Sequence, residues 1–270
     1  MKKLTKQIAA LLGTACFFAA FDVAVYSTMT KRCHDKTSAE MQAKSVEVSE
    51  YLPFDANSKI AAVDSALTLS EQPPVIDGAA GLFPVYSAFV HAVYPESSVH
   101  YDGERFTPES AMQYTNTRGA YQAIAEGTID IAVCVKPSDA QLAYAKEQGA
   151  DLDFIPLGYD AFVFLVNGSN PVDNLSCQQV RDIYSGKLHT WSQVGGKHLL
   201  IDAKQRNPGS GSQSAMESFM NGQEMHTNPF GFSGSAIGFS FRYYVSDLVG
   251  NGDVKMLSLD GVSPTPEHIA

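Results

Sequence analysis

The feature that most constrains the fold is a repeated change of hydrophobic period after Val75. Segments with apolar residues at helical spacing alternate with short apolar runs of strand length. The helix-like segments are PVYSAFVHAVY, DAQLAYAKEQG and SCQQVRDIYSG, and the strand-like segments are TIDIAVCV, LDFIPLG and DAFVFLVN. Because alternating strands and helices are typical of α/β domains, we predict an α/β fold from Val75 onward.

The segment SCQQVRDIYSG carries the clearest helix boundaries. Ser176 is followed three residues later by Gln179, which is the form of a capping box. Gly186 then follows the last apolar residue, where glycine commonly ends a helix. We therefore predict a helix between Ser176 and Gly186.

Composition limits the classes of function. The chain has 270 residues, of which 44% are hydrophobic and 18% charged, so it can form one large domain or two small ones. Its net charge of -10 and pI of about 5.1 argue against nucleic acid as a partner, since binding to the phosphate backbone needs a basic face. An anionic ligand stays compatible with this charge if hydrogen-bond donors are concentrated locally.

Residues 1–29 are predicted to be a signal or membrane anchor. Three lysines precede the run IAALLGTACFFAAF, which is long for the apolar part of a signal peptide and short for a membrane span. No clear small-residue cleavage site follows, which favours an uncleaved anchor. A cleaved signal and a lipoprotein attached at Cys16 stay open as alternatives. Residues 30–74 are polar and mixed, and we predict that they form a spacer.

Cysteine and histidine spacing predicts neither a disulfide framework nor a zinc site. Outside the apolar run, Cys33, Cys134 and Cys177 show no regular spacing. The seven histidines likewise lack the spacing of metal ligands. We expect no metal and no cofactor.

A turn rich in glycine and serine is the strongest candidate for a binding site. The stretch AKQRNPGSGSQSAMESFM leads from Arg206 through this turn into an apolar helix. We place the helix start at about Gln213, with Ser214 and Glu217 in capping-box form. Free amides at a helix start, serine hydroxyls and a guanidinium fork together suit an oxyanion. On local spacing alone, the alternative that this is an ordinary loop with a solvent-exposed arginine stays open.

Longer motifs give this turn a context. The motif NPVDNLSCQQVRDIYSGKLHTWSQVGG precedes it, GAAGLFPVYSAF and NTRGAYQAIAEGTIDIA lie earlier, and AIGFSFRYY and MLSLDGV lie later. In this order they resemble the PstS-type phosphate-binding proteins of ABC importers, over roughly Val75 to the end. The resemblance implies a two-lobed periplasmic-binding-protein-like (type 2) fold with the ligand in a cleft between the lobes. We expect residues 75–158 plus 236–270 in lobe 1 and residues 159–235 in lobe 2.

The resemblance also assigns ligand-binding residues from both lobes. In lobe 1 it implies backbone amides around Leu82 and Phe83 and the hydroxyl of Thr117, although a plain N-cap role for Thr117 stays open. For lobe 2, the implied residues are Arg206, Ser210, Gly211 and Ser212. The lone tryptophan, Trp191, belongs to the TWSQVGG motif and is expected to pack in the interior.

Three departures from the family pattern bear on the site. Ala80 and Gly81 stand where the family commonly has a threonine or serine. Val135 stands where relatives with a ligand-facing aspartate carry it, which predicts weaker rejection of sulfate unless Asp77 or Asp139 faces the ligand. Fifteen residues separate Met220 from Ala236, and the C-terminal part is shorter than the family pattern. We expect that this shortening leaves a sheet edge unpaired.

The sequence thus predicts an extracytoplasmic, membrane-associated receptor that captures inorganic phosphate for an ABC-type importer. One alternative is a surface sensor or interaction module on the same fold with a degenerate anion site. A hydrolase is the other alternative, but the sequence offers no nucleophile beside a base, so we do not expect an enzyme. The segment GFSGSAIG lacks the final glycine of a nucleophile elbow.

Overall fold

The computed structural model describes Asp22 and residues 46–70, 72–226, 233–248 and 253–269. The described part of the first half combines two parallel strands with three helices. Strand β1 pairs with β2 in parallel register, with Ile76 opposite Ile131. The elements are β1 (Ile76–Gly78), α1 (Phe83–Val93), α2 (Asn116–Ala125), β2 (Ile131–Val133) and α3 (Asp139–Glu147).

The second half contains a mixed sheet of four strands in the order β5-β6-β3-β7 and a separate parallel pair, β4 and β8. In the larger sheet β3 is antiparallel to both β6 and β7, while β5 is parallel to β6. The elements are β3 (Phe162–Asn167), β4 (Asn174–Leu175), α4 (Cys177–Tyr184), β5 (Asp202–Ala203), α5 (Gly211–Met220), β6 (Ala236–Phe241), β7 (Val254–Met256) and β8 (Ser258–Leu259).

The buried hydrophobic residues of the described chain form two separate cores. The first surrounds Phe83, Tyr86 and Met112, all fully buried. The second surrounds Trp191 and Phe239, and the indole nitrogen of Trp191 donates a 2.8 Å hydrogen bond to the carbonyl oxygen of Ser235. Two cores, each covered by its own helices, give the two-lobed α/β arrangement that the sequence predicts.

Local sequence signals locate the helices well. Helix α4 begins after Ser176, whose hydroxyl accepts from the Gln179 amide in a complete capping box. It ends before Gly186, which has a φ of 74° and so needs the freedom of glycine. The prediction for this helix is therefore confirmed, as are those for α1 and α3.

The segment LDFIPLG does not form the predicted strand. Residues 152–158 have no regular secondary structure, and Ile155 and Leu157 are 80% and 67% exposed. Main-chain hydrogen bonds from this segment to other described residues are absent. The prediction fails because β-propensity needs a neighbouring strand to pair with, and the described chain provides none here.

Both ends of the described chain depart from the predicted lobe boundaries. Residues 46–54 do not behave as a spacer, because Val46 is buried in the first core and the Ser87 hydroxyl donates to the Tyr51 carbonyl oxygen at 2.5 Å. Residues 236–241, predicted in lobe 1, pair instead with β3 and β5 of the second lobe. Tyr244 and Val245 then return to the first core.

The predicted signal or anchor, residues 1–29, lies outside the described residues except for Asp22. Among the described helices, none combines the length and apolar character that crossing a membrane requires.

Candidate functional site

A cleft of about 520 Å³ lies between the two lobes. First-lobe residues enter it from the turn before α1 and from the start of α2, and second-lobe residues enter from the turn before α5 and from β6. Of the seven residues predicted to bind the ligand, six line the cleft: Leu82, Thr117, Arg206, Ser210, Gly211 and Ser212.

The second-lobe turn forms the start of α5. Ser210 is the N-cap of the helix, and its hydroxyl oxygen accepts from the Gln213 amide at 3.3 Å. The prediction of a helix start at Gln213 capped by Ser214 is therefore wrong. Ser214 lies inside the helix, and its hydroxyl donates to Gln141 Oε1 at 3.5 Å. The helix begins earlier because serine followed by glycine already satisfies the N-cap geometry.

This early start leaves donors at the cleft. The first intrahelical hydrogen bond runs from the Ser214 amide to the Ser210 carbonyl oxygen at 2.9 Å. The N–H groups of Gly211 and Ser212 come before it, where a helix has no internal acceptor to offer. They lie at the positive end of the helix dipole, which favours an anion.

Arg206 lies beside this helix start, and Arg118 of α2 is a second cationic residue of the cleft lining. The backbone amide of Arg206 donates to Gln213 Oε1 at 2.9 Å, which ties the turn to the helix. No carboxylate of the described residues lies within ion-pair distance of the Arg206 guanidinium. Desolvation lowers the pKa of Arg206, and the nearby Tyr244 opposes that shift. A partly buried guanidinium without a counter-ion can pair with an external anion.

Thr117 is buried yet faces the cleft. It is the second residue of α2, and Thr115 holds the N-cap position, so the alternative N-cap role for Thr117 is wrong. Its side chain is 5% exposed overall and makes no hydrogen bond to any other described residue. The hydroxyl is therefore a further donor that the cleft can use.

Asp77 fixes the start of α2 and does not face the cleft. This fully buried carboxylate accepts from the Gly78 amide at 2.7 Å, from the Thr115 amide at 2.9 Å and, very closely, from the Thr115 hydroxyl. Burial raises the pKa of Asp77, and these hydrogen bonds oppose the shift. With its oxygens engaged, Asp77 serves to position the helix that carries Thr117. Asp139, at the exposed start of α3, also stays out of the cleft lining.

The first-lobe turn differs from its prediction. The Leu82 amide donates to the Ala79 carbonyl oxygen at 2.9 Å, and the Phe83 amide donates to the Ala80 carbonyl oxygen. Leu82 lines the cleft, whereas Phe83 is fully buried in the first core against Tyr114. Phe83 is thus a core residue, because a short 3-10 turn precedes α1 and directs this side chain inward.

The two lobes touch at the first residue of α5. A Cβ added to Gly211 would lie 2.8 Å from Cγ2 of Val135 and 3.0 Å from the Thr117 hydroxyl oxygen. Only glycine fits this approach without displacing a neighbour. Val135 lies in the cleft, as the sequence predicts, and places an apolar side chain there.

Several cleft residues were not predicted. Tyr114, Phe241 and Tyr244 provide aromatic surface. Asp160 is the one carboxylate among the described lining residues. Burial raises the pKa of Tyr244, while Arg206 lowers it. These residues come from three distant parts of the chain. No local motif marks them, although Phe241 and Tyr244 lie within the motif AIGFSFRYY.

Comparison with known proteins gives a family match and several similar proteins. A family model described as the PBP superfamily domain matches residues 51–253. The phosphate-binding protein PstS of Staphylococcus saprophyticus is 28% identical over 96 residues, or 35% of this chain. The chain spans 30% of the length of that curated relative.

Solved structures include a Clostridium perfringens protein, described as a phosphate ABC transporter substrate-binding protein with bound phosphate. It is 21% identical with a TM-score of 0.51, covering 72% of this chain and 78% of that one. An ABC-type phosphate transport receptor from Vibrio cholerae is 20% identical with a TM-score of 0.48, covering 72% and 79%. The likeness to the Clostridium protein shows a shared fold.

Proposed function

Because the chain belongs to the PBP superfamily, we propose that it binds inorganic phosphate outside the cytoplasm and delivers it to the membrane subunits of an ABC-type importer. The names of the curated relative and of the Clostridium structure support phosphate as the ligand. Membrane association through residues 1–29 belongs to the same proposal.

One observation carries the proposal. The Arg206 guanidinium has no described carboxylate partner and lies beside the free amides at the start of α5. The hydroxyls of Ser210, Ser212 and Thr117 border the same space. Fixed N–H, O–H and guanidinium donors can replace the water shell of a tetrahedral anion without any cofactor.

Titration of inorganic phosphate into the full chain tests the proposal. Calorimetry should give a saturable heat of binding, and phosphate should raise the melting temperature with the logarithm of its concentration, because the ligand binds only the folded chain. If millimolar phosphate gives no heat of binding and no change in melting temperature, the proposal is contradicted.

A sensor or interaction module with a degenerate site is the second candidate. It is favoured by the first-lobe turn, where the Leu82 and Phe83 amides already have internal acceptors. If the chain is such a module, phosphate should leave its melting curve unchanged.

We also propose that the chain is not an enzyme. The described cleft lining contains no histidine, lysine or glutamate that could activate a serine, and its carboxylate, Asp160, accepts from the Tyr243 amide. Phosphate release from a model ester such as p-nitrophenyl phosphate would contradict this proposal.

A further inference from the structure

The cleft is larger than an inorganic anion requires. At about 520 Å³ it falls within the range of roughly 300–1,000 Å³ that is usual for pockets that hold small organic molecules. A phosphate held at the start of α5 would fill only part of this space. The rest of the cleft can hold a group attached to the anion.

The lobes already touch beside the start of α5. Gln141 of α3 donates through Nε2 to the Gly209 carbonyl oxygen at 3.2 Å. The alkyl chain of Arg118 lies against Gly209, where an added Cβ would be 3.4 Å from Cγ of the arginine. The space is therefore present while first-lobe and second-lobe residues are in contact.

One part of the remaining wall of the cleft is aromatic and apolar, beside polar lining residues that include Asn116, Arg118 and Ser240. Tyr114, Phe241 and Tyr244 line this part together with Leu82. The ring of Tyr244 lies beside the first-lobe turn, since a Cβ added to Gly81 would be 3.5 Å from its Cδ2. Aromatic surface next to an anion site suits an organic group bonded to the anion.

The charges near the anion turn favour the same kind of ligand. Hydrogenphosphate keeps one P–OH group, which seeks an acceptor, whereas the dianion of a phosphate monoester has an organic group at that oxygen. The side chain next to Gly211 is Val135, which cannot accept a hydrogen bond. Asp160 also lines the cleft, but it accepts from the Tyr243 amide at 3.3 Å and its charged neighbours are Arg242 and Asp247.

We infer that the cleft also accepts phosphate monoesters, with the phosphate at Arg206 and the start of α5 and the organic group against Phe241, Tyr114 and Tyr244. This inference rests on the proposed anion site and adds the class of organic phosphates to its ligands.

Calorimetric titration of the full chain with phenyl phosphate and with inorganic phosphate, in separate runs, tests the inference. At about pH 8 the monoester is a dianion, because its second pKa is about 6. Phenyl phosphate should bind as tightly as inorganic phosphate or more tightly. Weaker binding of phenyl phosphate overturns the inference and leaves the anion site standing. If neither ligand binds, the proposed function fails as well.

Two variants locate the organic group. Phe241→Leu keeps the β6 side chain apolar but removes the ring, so it should weaken phenyl phosphate severalfold more than it weakens inorganic phosphate. Phe89→Leu, on the exposed face of α1, is the matched control.

Val135→Asp places a carboxylate beside Gly211 and should weaken phenyl phosphate more than inorganic phosphate, since only inorganic phosphate has a P–OH group that can donate to it. Equal effects on both ligands in both variants would overturn the inference.

Discussion

The two turns that face each other across the cleft are alike in sequence and different in what they offer a ligand. Both contain glycine and both lead directly into a helix, α1 in the first lobe and α5 in the second. In the first turn the amides of Leu82 and Phe83 bond to carbonyl oxygens of the same turn. In the second turn, the amides of Gly211 and Ser212 belong to the start of α5, where the helix has no carbonyl oxygen to accept their hydrogen bonds.

The same contrast extends to the side chains. The buried polar groups of the first lobe stabilise that lobe, as when the oxygens of Asp77 bind Gly78 and Thr115. Thr117, by contrast, leaves its hydroxyl for the cleft. In the second lobe the Arg206 side chain has no described ion-pair partner. We conclude that a glycine turn before a helix becomes an anion site only when its donors are left unused by the fold.

The largest expected effect is loss of phosphate binding in Arg206→Ala. Hydrogen bonds to charged groups contribute about 1.5–3 kcal/mol each, so losing a two-bond fork should weaken binding by at least about 100-fold. Arg206→Lys keeps the charge but not the fork and should lose about tenfold. Arg105→Ala, which removes an arginine side chain that is 84% exposed, is the control. Wild-type affinity in Arg206→Lys would mean that the fork does not bind the ligand.

The second prediction compares the two turns through their glycines. In Gly211→Ala the new methyl group would meet Val135 and Thr117 at 3.0 Å or less, and overpacking of this kind costs about 1–3 kcal/mol. Phosphate affinity should fall about tenfold. In Gly81→Ala the methyl group makes an ordinary contact with Tyr244 at 3.5 Å. Calorimetry should give nearly wild-type affinity there, and an equal loss in both variants would contradict the comparison.

A third, smaller effect is expected in Thr117→Val, which removes a hydroxyl without changing shape. One neutral hydrogen bond contributes about 0.5–1.5 kcal/mol, so phosphate affinity should fall about two- to tenfold. The melting temperature without ligand should not fall, because the hydroxyl bonds to no described residue. Thr128→Val is the control, since that hydroxyl donates to the Ala123 carbonyl oxygen at 3.1 Å far from the cleft. A lower melting temperature with unchanged affinity in Thr117→Val would show a structural hydroxyl.

The smallest expected effect is on the pH dependence of stability. Because burial raises the pKa of Asp77, the folded chain holds this proton more tightly than the unfolded chain. The stability from this group is fully present below the unfolded pKa and is lost as pH rises through the folded pKa. Asp77→Asn lacks this titration, so it should lower the melting temperature more at acidic pH than at neutral pH. A difference that is constant with pH would show that folding leaves the pKa of Asp77 unchanged.

Sequence reasoning predicted the parts of the fold that depend on local signals. The α/β class and helix α4, with its Ser176 cap and Gly186 stop, follow from short segments. The presence of Val135 in the cleft followed instead from the family resemblance. The start of α5 was misplaced because two serines of the same turn, Ser210 and Ser214, both have N-cap character. Local propensity cannot choose between them when the tertiary contacts of the turn decide.

Other features depend on contacts between distant segments. Residues 46–54 pack on the first core although their composition is that of a spacer. The aromatic wall combines Tyr114 with Phe241 and Tyr244, which no single motif unites. The backbone amide of Phe83 was assigned to the ligand, but it donates to the Ala80 carbonyl oxygen, while the side chain packs in the first core. Sequence patterns report local periods, whereas these outcomes follow from which surfaces meet.

The unpaired segment 152–158 has a consequence for how the chain responds to proteases. It connects α3 of the first lobe to β3 of the second, its large apolar side chains are exposed, and it makes no main-chain hydrogen bond to the described residues. Such a segment fits a protease active site without prior unfolding. Chymotrypsin, which cuts after aromatic residues, should therefore cut at Phe154 or Tyr159 before it cuts at the other aromatic residues of the described chain. The two fragments should stay together after that cut, because strands β6 and β7 hold β3 by hydrogen bonds while Tyr244 remains in the first core.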